Sequence, residues 1–246
     1  MFVKALRAIF GLLEKTPQLT MKWFLEMFSS TLGKKLIMAL TGLFLVSFLL
    51  IHLIGNLQLL KNDGGHSFNV YAEFMSTNPL VQTISKANFT FILIHILFSI
   101  ILTKKNRDAR GPRGYAVTSS NSSIWSSRNM GILGTIVLVF LVVHLRHFYW
   151  EMHYGGMPTV DYEGKQVRDI YTVVAYWFKI DWYVGLYVVC MIGIAFHLWH
   201  GFISAFQTLG LNHMKYNPVI NFIGKAFAIL VPAFFAWIPI SMFFKF

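Results

Sequence analysis

Residues 36–60 read LIMALTGLFLVSFLLIHLIGNLQLL, an apolar run that contains no Asp, Glu, Lys or Arg. A helix of about 20 such residues is long enough to cross the ~30 Å hydrocarbon core of a bilayer. The only titratable side chain in the run belongs to His52. The stretch therefore predicts a membrane-spanning helix with one histidine inside it.

The rest of the chain repeats this composition. Hydrophobic residues make up 56% of the 246 residues and charged residues only 13%, whereas an ordinary soluble domain carries about 25% charged residues. These fractions predict an all-α integral membrane bundle of five transmembrane helices, built as a single membrane-anchor domain. The predicted spans run from Leu36 to Leu60, Ala87 to Thr103, Met130 to Trp150, Trp182 to Phe206 and Val219 to Phe244.

Residues 1–35 precede the first span as a predicted interfacial arm. Between Met1 and Phe28, large apolar residues are mixed with basic ones, and Thr16-Pro17 interrupts the pattern. This mixture favours two short amphipathic helices that lie on the membrane surface. A frayed N-terminal arm is the alternative interpretation.

The charge of the chain indicates a membrane rather than nucleic acid. The formal net charge is +11, but the basic residues flank the apolar blocks instead of covering one polar face. The arm and the loops on its side hold 13 lysines and arginines, and the opposite loops and tail hold six. Because basic residues are enriched in cytoplasmic loops, the N terminus is predicted in the cytoplasm and the C terminus outside.

Six of the nine histidines fall inside predicted spans, where ionisable side chains are costly and mark functional sites. At ~1.5 Å per residue, His52 and His144 lie ~24 Å and ~21 Å from the basic end of their spans, and His95 and His197 lie ~12 Å and ~14 Å from it. These four histidines form two pairs of equal depth, each drawn from two helices. Two stacked haems with two histidine ligands each require this arrangement. Hydrogen bonds between helices are the alternative role.

The first and third spans also resemble each other. Residues 42–53 read GLFLVSFLLIHL and residues 134–145 read GTIVLVFLVVHL, with Gly, Phe, Leu, His and Leu in register. This similarity favours His144 over His147 as the partner of His52. Each glycine lies ~15 Å along the helix from its histidine and could leave room beside the inner haem. Chance similarity between two apolar helices is the alternative.

The other polar residues of the spans are assigned to contacts around these pairs. His147 and His200 lie one turn beyond His144 and His197, and we assign them to haem propionate or quinone contacts. Arg146 is a candidate partner of a propionate, or a side chain that snorkels to the interface. Zinc is the weaker interpretation, because no carboxylate or thiolate lies at the depth of either pair. The lone cysteine excludes the paired attachment of c-type haem.

The chain resembles a known family, the five-helix di-haem cytochrome b (b558-type) membrane anchor of succinate dehydrogenases and fumarate reductases. The stretches that carry the resemblance are Gly42 to Asn56, Phe68 to Pro79, Ile94 to Ile96, Gly134 to His144 and His197 to Gly210. By this resemblance, His52, His95, His144 and His197 match the axial ligands of two haem b groups. The implied pairing is His95 with His197 for the cytoplasmic-side haem and His52 with His144 for the outer one, which agrees with the depth estimate.

The resemblance implies an electron-transfer subunit in a bacterial cytoplasmic membrane. Its partners would be a flavoprotein that interconverts succinate and fumarate, an iron-sulfur subunit, and a membrane quinone, more often menaquinone in such relatives. Family members with an outer quinone site use a carboxylate after the first span, and Glu73 is the nearest match. An ordinary loop acid is the alternative reading of Glu73. A cytoplasmic-side pocket near Ser126, Ser127 and Arg128 is the competing quinone site.

Two other functions fit parts of the pattern. The di-haem cytochrome b of a hydrogenase or formate dehydrogenase shares the histidine-ligated haems but receives electrons from a different partner. A transporter or proton channel could use intramembrane histidines as a proton relay, without any haem.

Overall fold

The computed structural model of the chain describes residues 22, 26, 29–111 and 125–245. Within them, five helices are long and apolar enough to cross a membrane, so the predicted all-α membrane bundle is confirmed. The helices of the five spans are Thr31–Asn56, Pro79–Arg110, Met130–His144, Asp181–Thr208 and Asn217–Lys245. The interfacial helices predicted between residues 1 and 28 lie outside the described residues, apart from single positions at Lys22 and Glu26.

Two of the helices begin before the predicted membrane-crossing stretches. The first helix begins at Thr31, inside the predicted arm, because the Ser30 side chain accepts a hydrogen bond from the Gly33 amide and caps the helix there. The second helix begins at Pro79 rather than Ala87, because the Asn78 side chain caps it and proline suits the first helical position. Lys86, expected in a loop, is therefore part of the second helix.

The first four spans form a ring. The first span packs against the second and the fourth, and the third span packs against the same two neighbours. The first and third spans, like the second and fourth, consequently face each other across the diagonals of the bundle. The fifth span lies outside this ring and packs mainly against the fourth, with further contacts to the first. Side chains that point to the centre from opposite spans can therefore meet in the core.

One end of the bundle carries a small cap, and we call it the hairpin end. The cap consists of a helix at His66–Thr77, an antiparallel hairpin of strands Thr159–Tyr162 and Lys165–Arg168, and a helix at Ile170–Phe178. The opposite end, where the first helix begins and the second ends, is called the basic end. The segment expected to be a loop over residues 61–86 is thus largely helical, because its apolar residues pack against the Ile170–Phe178 helix and the neighbouring spans.

The buried Asn69 ties the three parts of the cap together. Its side-chain nitrogen donates to the Tyr162 hydroxyl at 3.1 Å and to the Asp169 carboxylate at 2.9 Å, and its side-chain oxygen accepts from the Tyr171 amide at 2.9 Å. Asn69 is only 1% exposed, so these bonds replace water as its partners. At the start of the same helix, hydrogen bonds from Ser67 hold the pKa of the exposed Asp63 carboxyl below its ordinary value.

Candidate cofactor site

The structure brings four of the intramembrane histidines together in the two pairs that the depth estimate predicts. The ring centres of His52 on the first span and His144 on the third are 5.8 Å apart, with the rings perpendicular. The ring centres of His95 on the second span and His197 on the fourth are 6.5 Å apart, with the rings at 67°. Each pair crosses one diagonal of the four-span ring. Their role as ligands stays a prediction.

The spacing within each pair fits a metal ion between two imidazoles. A metal lies ~2 Å from a ligating imidazole nitrogen, and each nitrogen lies ~1.1 Å from the centre of a five-membered ring with C–N bonds of this length. Two rings on opposite sides of one metal therefore have centres ~6 Å apart. The observed 5.8 Å and 6.5 Å agree with this value. All four histidines are partly buried inside the bundle.

Gly42 lets the first span approach His95 of the second pair closely. A Cβ atom at this position would lie 3.3 Å from Cε1 of His95, closer than an ordinary contact. Gly134, its counterpart in the repeated sequence, differs, because a Cβ atom there would meet only the Ser99 hydroxyl at 4.0 Å. Gly42 is therefore in close contact with the second pair, whereas Gly134 lies near a residue one turn from His95. The role of either glycine in leaving room for a haem stays a prediction.

One histidine of each pair has a hydroxyl partner on a neighbouring span. Nδ1 of His95 lies 3.2 Å from the Thr41 hydroxyl, and Nδ1 of His144 lies 3.2 Å from the Tyr187 hydroxyl. Neither hydroxyl was predicted from the sequence. The only available signal was that each is a polar group inside an apolar span, and composition alone cannot reveal which histidine such a group faces.

The ring nitrogens of the other histidine in each pair have weaker hydrogen bonds or none among the described residues. Nδ1 of His197 is buried and has no hydrogen-bond partner among the described residues. The Asn56 side-chain nitrogen lies 3.4 Å from Nε2 of His52, but it donates at 2.8 Å to the His52 carbonyl oxygen. The contact to Nε2 is therefore long, and this nitrogen remains open to a stronger partner. The weakly bound Nε2 of His52 suits a nitrogen that awaits a ligand.

The third span contains a single π-helical turn, Leu145–Tyr149, directly after His144. The α-helix resumes over Trp150–Tyr154. A π turn inserts one residue into the helical repeat and so changes the direction of the side chains around it, and such turns recur at functional sites. Sequence periodicity did not predict this turn, because an apolar helix exposed to lipid carries little amphipathic signal.

The two residues assigned to haem propionate or quinone contacts in this turn already have protein partners. His147 stacks on Trp177 with ring centres 3.8 Å apart, and its Nδ1 lies 3.0 Å from the Tyr183 hydroxyl. Arg146 forms an ion pair with Glu151, and its side chain is 58% exposed. Both line a cavity of about 530 Å³ at the hairpin end. His200 is apart from them, partly buried one turn from His197 towards the basic end.

Glu73 lies in the cap, on the His66–Thr77 helix, and is held by an ion pair that the sequence did not predict. Its carboxylate accepts a hydrogen bond from Nε of Arg168 at 3.1 Å. Arg168 also donates to the Ser76 hydroxyl and to the Met152 carbonyl oxygen. Glu73 lines a second cavity, of about 280 Å³, between this helix and the hairpin. The carboxylate is therefore both a structural partner and a wall of a cavity.

The competing quinone position lies at the basic end. Trp125–Arg128 form one helical turn packed against the fourth span. The Ser126 side chain is buried, and its hydroxyl has no hydrogen-bond partner within the described part of the chain. The two candidate quinone positions, around Glu73 and around Ser126, therefore lie at opposite ends of the bundle.

Comparison of the chain with families, with curated proteins and with solved structures found no match. Over the described residues, the fold and the site define a helical membrane protein with five helices long enough to span a bilayer and two diagonal pairs of histidines in its core.

Proposed function

We propose that this chain is the haem b membrane anchor of a succinate:quinone oxidoreductase of the b558 type. In this proposal, His52 and His144 hold one haem b, and His95 and His197 hold the other. The observation that carries the proposal is the pair of diagonal histidine contacts, because both have the ring spacing that one metal between two imidazoles needs. The close approach of Gly42 to His95 and the weakly bound Nε2 of His52 add support.

The two pairs lie at different levels of the bundle. Gly42 adjoins His95, and it precedes His52 on the same helix by ten residues, or ~15 Å. Two redox centres at these levels would divide the ~30 Å thickness of the hydrocarbon core into shorter steps. When bound, each haem supplies a one-electron carrier whose potential depends on its ligands and surroundings. The chain contributes the ligands, their orientation and the apolar walls.

The basic end is the proposed docking side for the iron-sulfur and flavoprotein subunits. Its exposed basic residues include Lys35, Lys104, Lys105, Arg107, Arg128 and Lys215. A surface of one sign attracts a partner of the opposite sign and orients it during encounter. By the positive-inside rule this end faces the cytoplasm of a bacterium, so the N terminus is cytoplasmic and the C terminus is outside.

The proposed quinone site is the cap region around Glu73, with menaquinone as the expected quinone. Glu73 lines a cavity and lies at the end opposite the docking side. A carboxylate at this place could take or give the proton that accompanies quinol or quinone turnover. The buried hydroxyl of Ser126 favours the second candidate, a quinone site at the basic end with Ser127 and Arg128.

The test of the haem proposal is the haem content of the purified complex. We expect a pyridine haemochrome assay to give two haem b groups per chain. Replacing any one of His52, His95, His144 or His197 by alanine should reduce this value to one or less, because a six-coordinate haem loses an axial ligand. The matched controls His153→Ala and His213→Ala change exposed histidines at the two ends of the bundle and should retain both haems. A colourless complex would refute the proposal.

The same preparation separates the rival functions. Copurification of a flavoprotein that oxidises succinate supports the proposal, whereas a hydrogenase or formate dehydrogenase subunit in its place supports the related di-haem cytochrome b. A histidine-lined transporter would show no b-type bands in a reduced-minus-oxidised spectrum.

A further inference from the structure

We propose that Thr41 and Tyr187 are positioning residues for the metal sites. Their hydroxyls hold the Nδ1 proton of His95 and His144, so that Nε2 of one imidazole in each pair is left free to bind metal. This inference rests on the proposed function, because it concerns how the same four histidines are oriented. It adds two residues that neither the composition nor the depth of the histidines reveals.

The proton arrangement at Thr41 follows from its hydrogen bonds. A threonine hydroxyl has one proton and two acceptor lone pairs. The Thr41 hydroxyl lies 2.8 Å from the Ile37 carbonyl oxygen, to which it donates, as threonines inside helices commonly do. Towards Nδ1 of His95, 3.2 Å away, it can then only accept. Nδ1 of His95 therefore carries the proton, and Nε2 carries the free lone pair.

A longer chain of hydrogen bonds orients His144. Its Nδ1 contacts the Tyr187 hydroxyl at 3.2 Å, this hydroxyl lies 3.3 Å from that of Tyr183, and Tyr183 contacts Nδ1 of His147 at 3.0 Å. Tyr183 and Tyr187 are 0% and 5% exposed, so these groups have no access to bulk water. Each hydroxyl has one proton and two lone pairs, so all three contacts can be satisfied while Nδ1 of His144 is protonated and donates to Tyr187. Metal on Nε2 of His144 would require this arrangement, because Nδ1 then carries the ring proton.

The two pairs have the same hydrogen-bonding arrangement. In each pair, one imidazole is oriented by a buried hydroxyl of an adjacent span, and Nδ1 of His197 in one pair has no such partner. A hydrogen bond from Nδ1–H to an acceptor fixes the tautomer and the ring plane of a metal-bound histidine and raises its basicity. A more basic ligand favours the oxidised metal. Loss of either hydroxyl is therefore expected to raise the potential of one haem and to leave the other unchanged.

The Thr41 test uses three variants of the purified complex, measured by redox titration and by electron paramagnetic resonance of the oxidised haems. Thr41→Val removes the hydroxyl at nearly constant volume and should shift the potential and the low-spin signal of one haem. Thr41→Ser keeps the hydroxyl and should resemble the unchanged chain. Thr135→Val is the control, since Thr135 also bonds to a helix carbonyl but is exposed on the third span and faces no histidine.

The Tyr187 test uses the same two measurements. Tyr187→Phe should change the signal and potential of the other haem, not of the one affected by Thr41→Val. Tyr183→Phe breaks the chain one step further away and should give a smaller change of the same sign. Tyr216→Phe, at an exposed tyrosine outside both pairs, should change neither haem.

The outcomes separate this inference from the proposed function. Equal shifts in Thr41→Val and Thr41→Ser would overturn the role of that hydroxyl, and unchanged signals in Tyr187→Phe would overturn the role of the other. Loss of one haem in Thr41→Val that Thr41→Ser prevents would support the inference. Absence of haem from the unsubstituted complex would instead refute the proposed function.

Discussion

Gly42 offers the sharpest test of how closely the protein fits around the second histidine pair. A Cβ atom there would lie 3.3 Å from Cε1 of His95, whereas carbon atoms in good contact are ~3.5–4.0 Å apart. Gly42→Ala therefore requires a displacement of only a few tenths of an ångström. Gly42→Val adds carbon atoms ~1.5 Å beyond Cβ, so that the imidazole must move by ~1 Å or more, or the helices must separate.

The expected result follows from the tolerance of metal sites. A ligand set works when its members are held within ~0.5 Å of the productive geometry. We expect Gly42→Ala to retain two haems with a shifted low-spin signal, and Gly42→Val to retain only the haem bound by His52 and His144. The assay is haem per chain by pyridine haemochrome, together with electron paramagnetic resonance of the oxidised complex.

The matched control is Gly134→Val, at the equivalent position of the repeated sequence. A Cβ atom at Gly134 meets only the Ser99 hydroxyl, at 4.0 Å, so this variant should keep both haems. If Gly42→Val also retained two haems with unchanged signals, the close approach of Gly42 to His95 would have no bearing on haem binding.

Two further predictions concern the cap. Glu73→Gln should slow quinone turnover about a hundredfold if the carboxylate transfers protons, with both haems retained, whereas Arg168→Gln should slow it less. Equal losses in the two variants would show that Glu73 acts only through the ion pair with Arg168, and unchanged turnover would reject the outer quinone site. Asn69→Ala removes three hydrogen bonds and should lower the free energy of unfolding by about 2–4 kcal/mol. Thermal unfolding in detergent measures this, with exposed Asn62→Ala as the control.

The pairing of the histidines was predictable although several helix boundaries were not. Measured from the ends of the helices, His95 lies ~22 Å from Arg110 and His197 ~17 Å from Thr208. Measured from the edges of the apolar blocks, the two depths are ~12 Å and ~14 Å. Only the depths measured from the apolar edges agree well enough to predict the pairing of His95 with His197. Apolar edges mark the hydrocarbon boundary, whereas capped helices continue into the polar interface.

The partners of the site residues were not predictable. The ion pair of Glu73 and Arg168 joins residues 95 positions apart, and the contact of Thr41 with His95 joins residues 54 apart. Such contacts depend on how far each helix is rotated about its own axis. In spans that are apolar on most faces, the sequence carries little information about that rotation. The π turn after His144 rotates part of the third span further, and it contains no proline or glycine from which it could be predicted.

The amino-acid sequence by itself determined the five spans, the residues within them and the levels at which the histidines lie. Each of these properties belongs to a single segment, because transfer of a segment into the bilayer depends on its own composition and length. Only the tertiary structure decided that the histidine pairs lie across the diagonals, that Gly42 adjoins His95, and that buried hydroxyls face Nδ1 of His95 and His144. Those features arise from packing between helices, where a rotation or a shift of one residue changes every neighbour of a side chain.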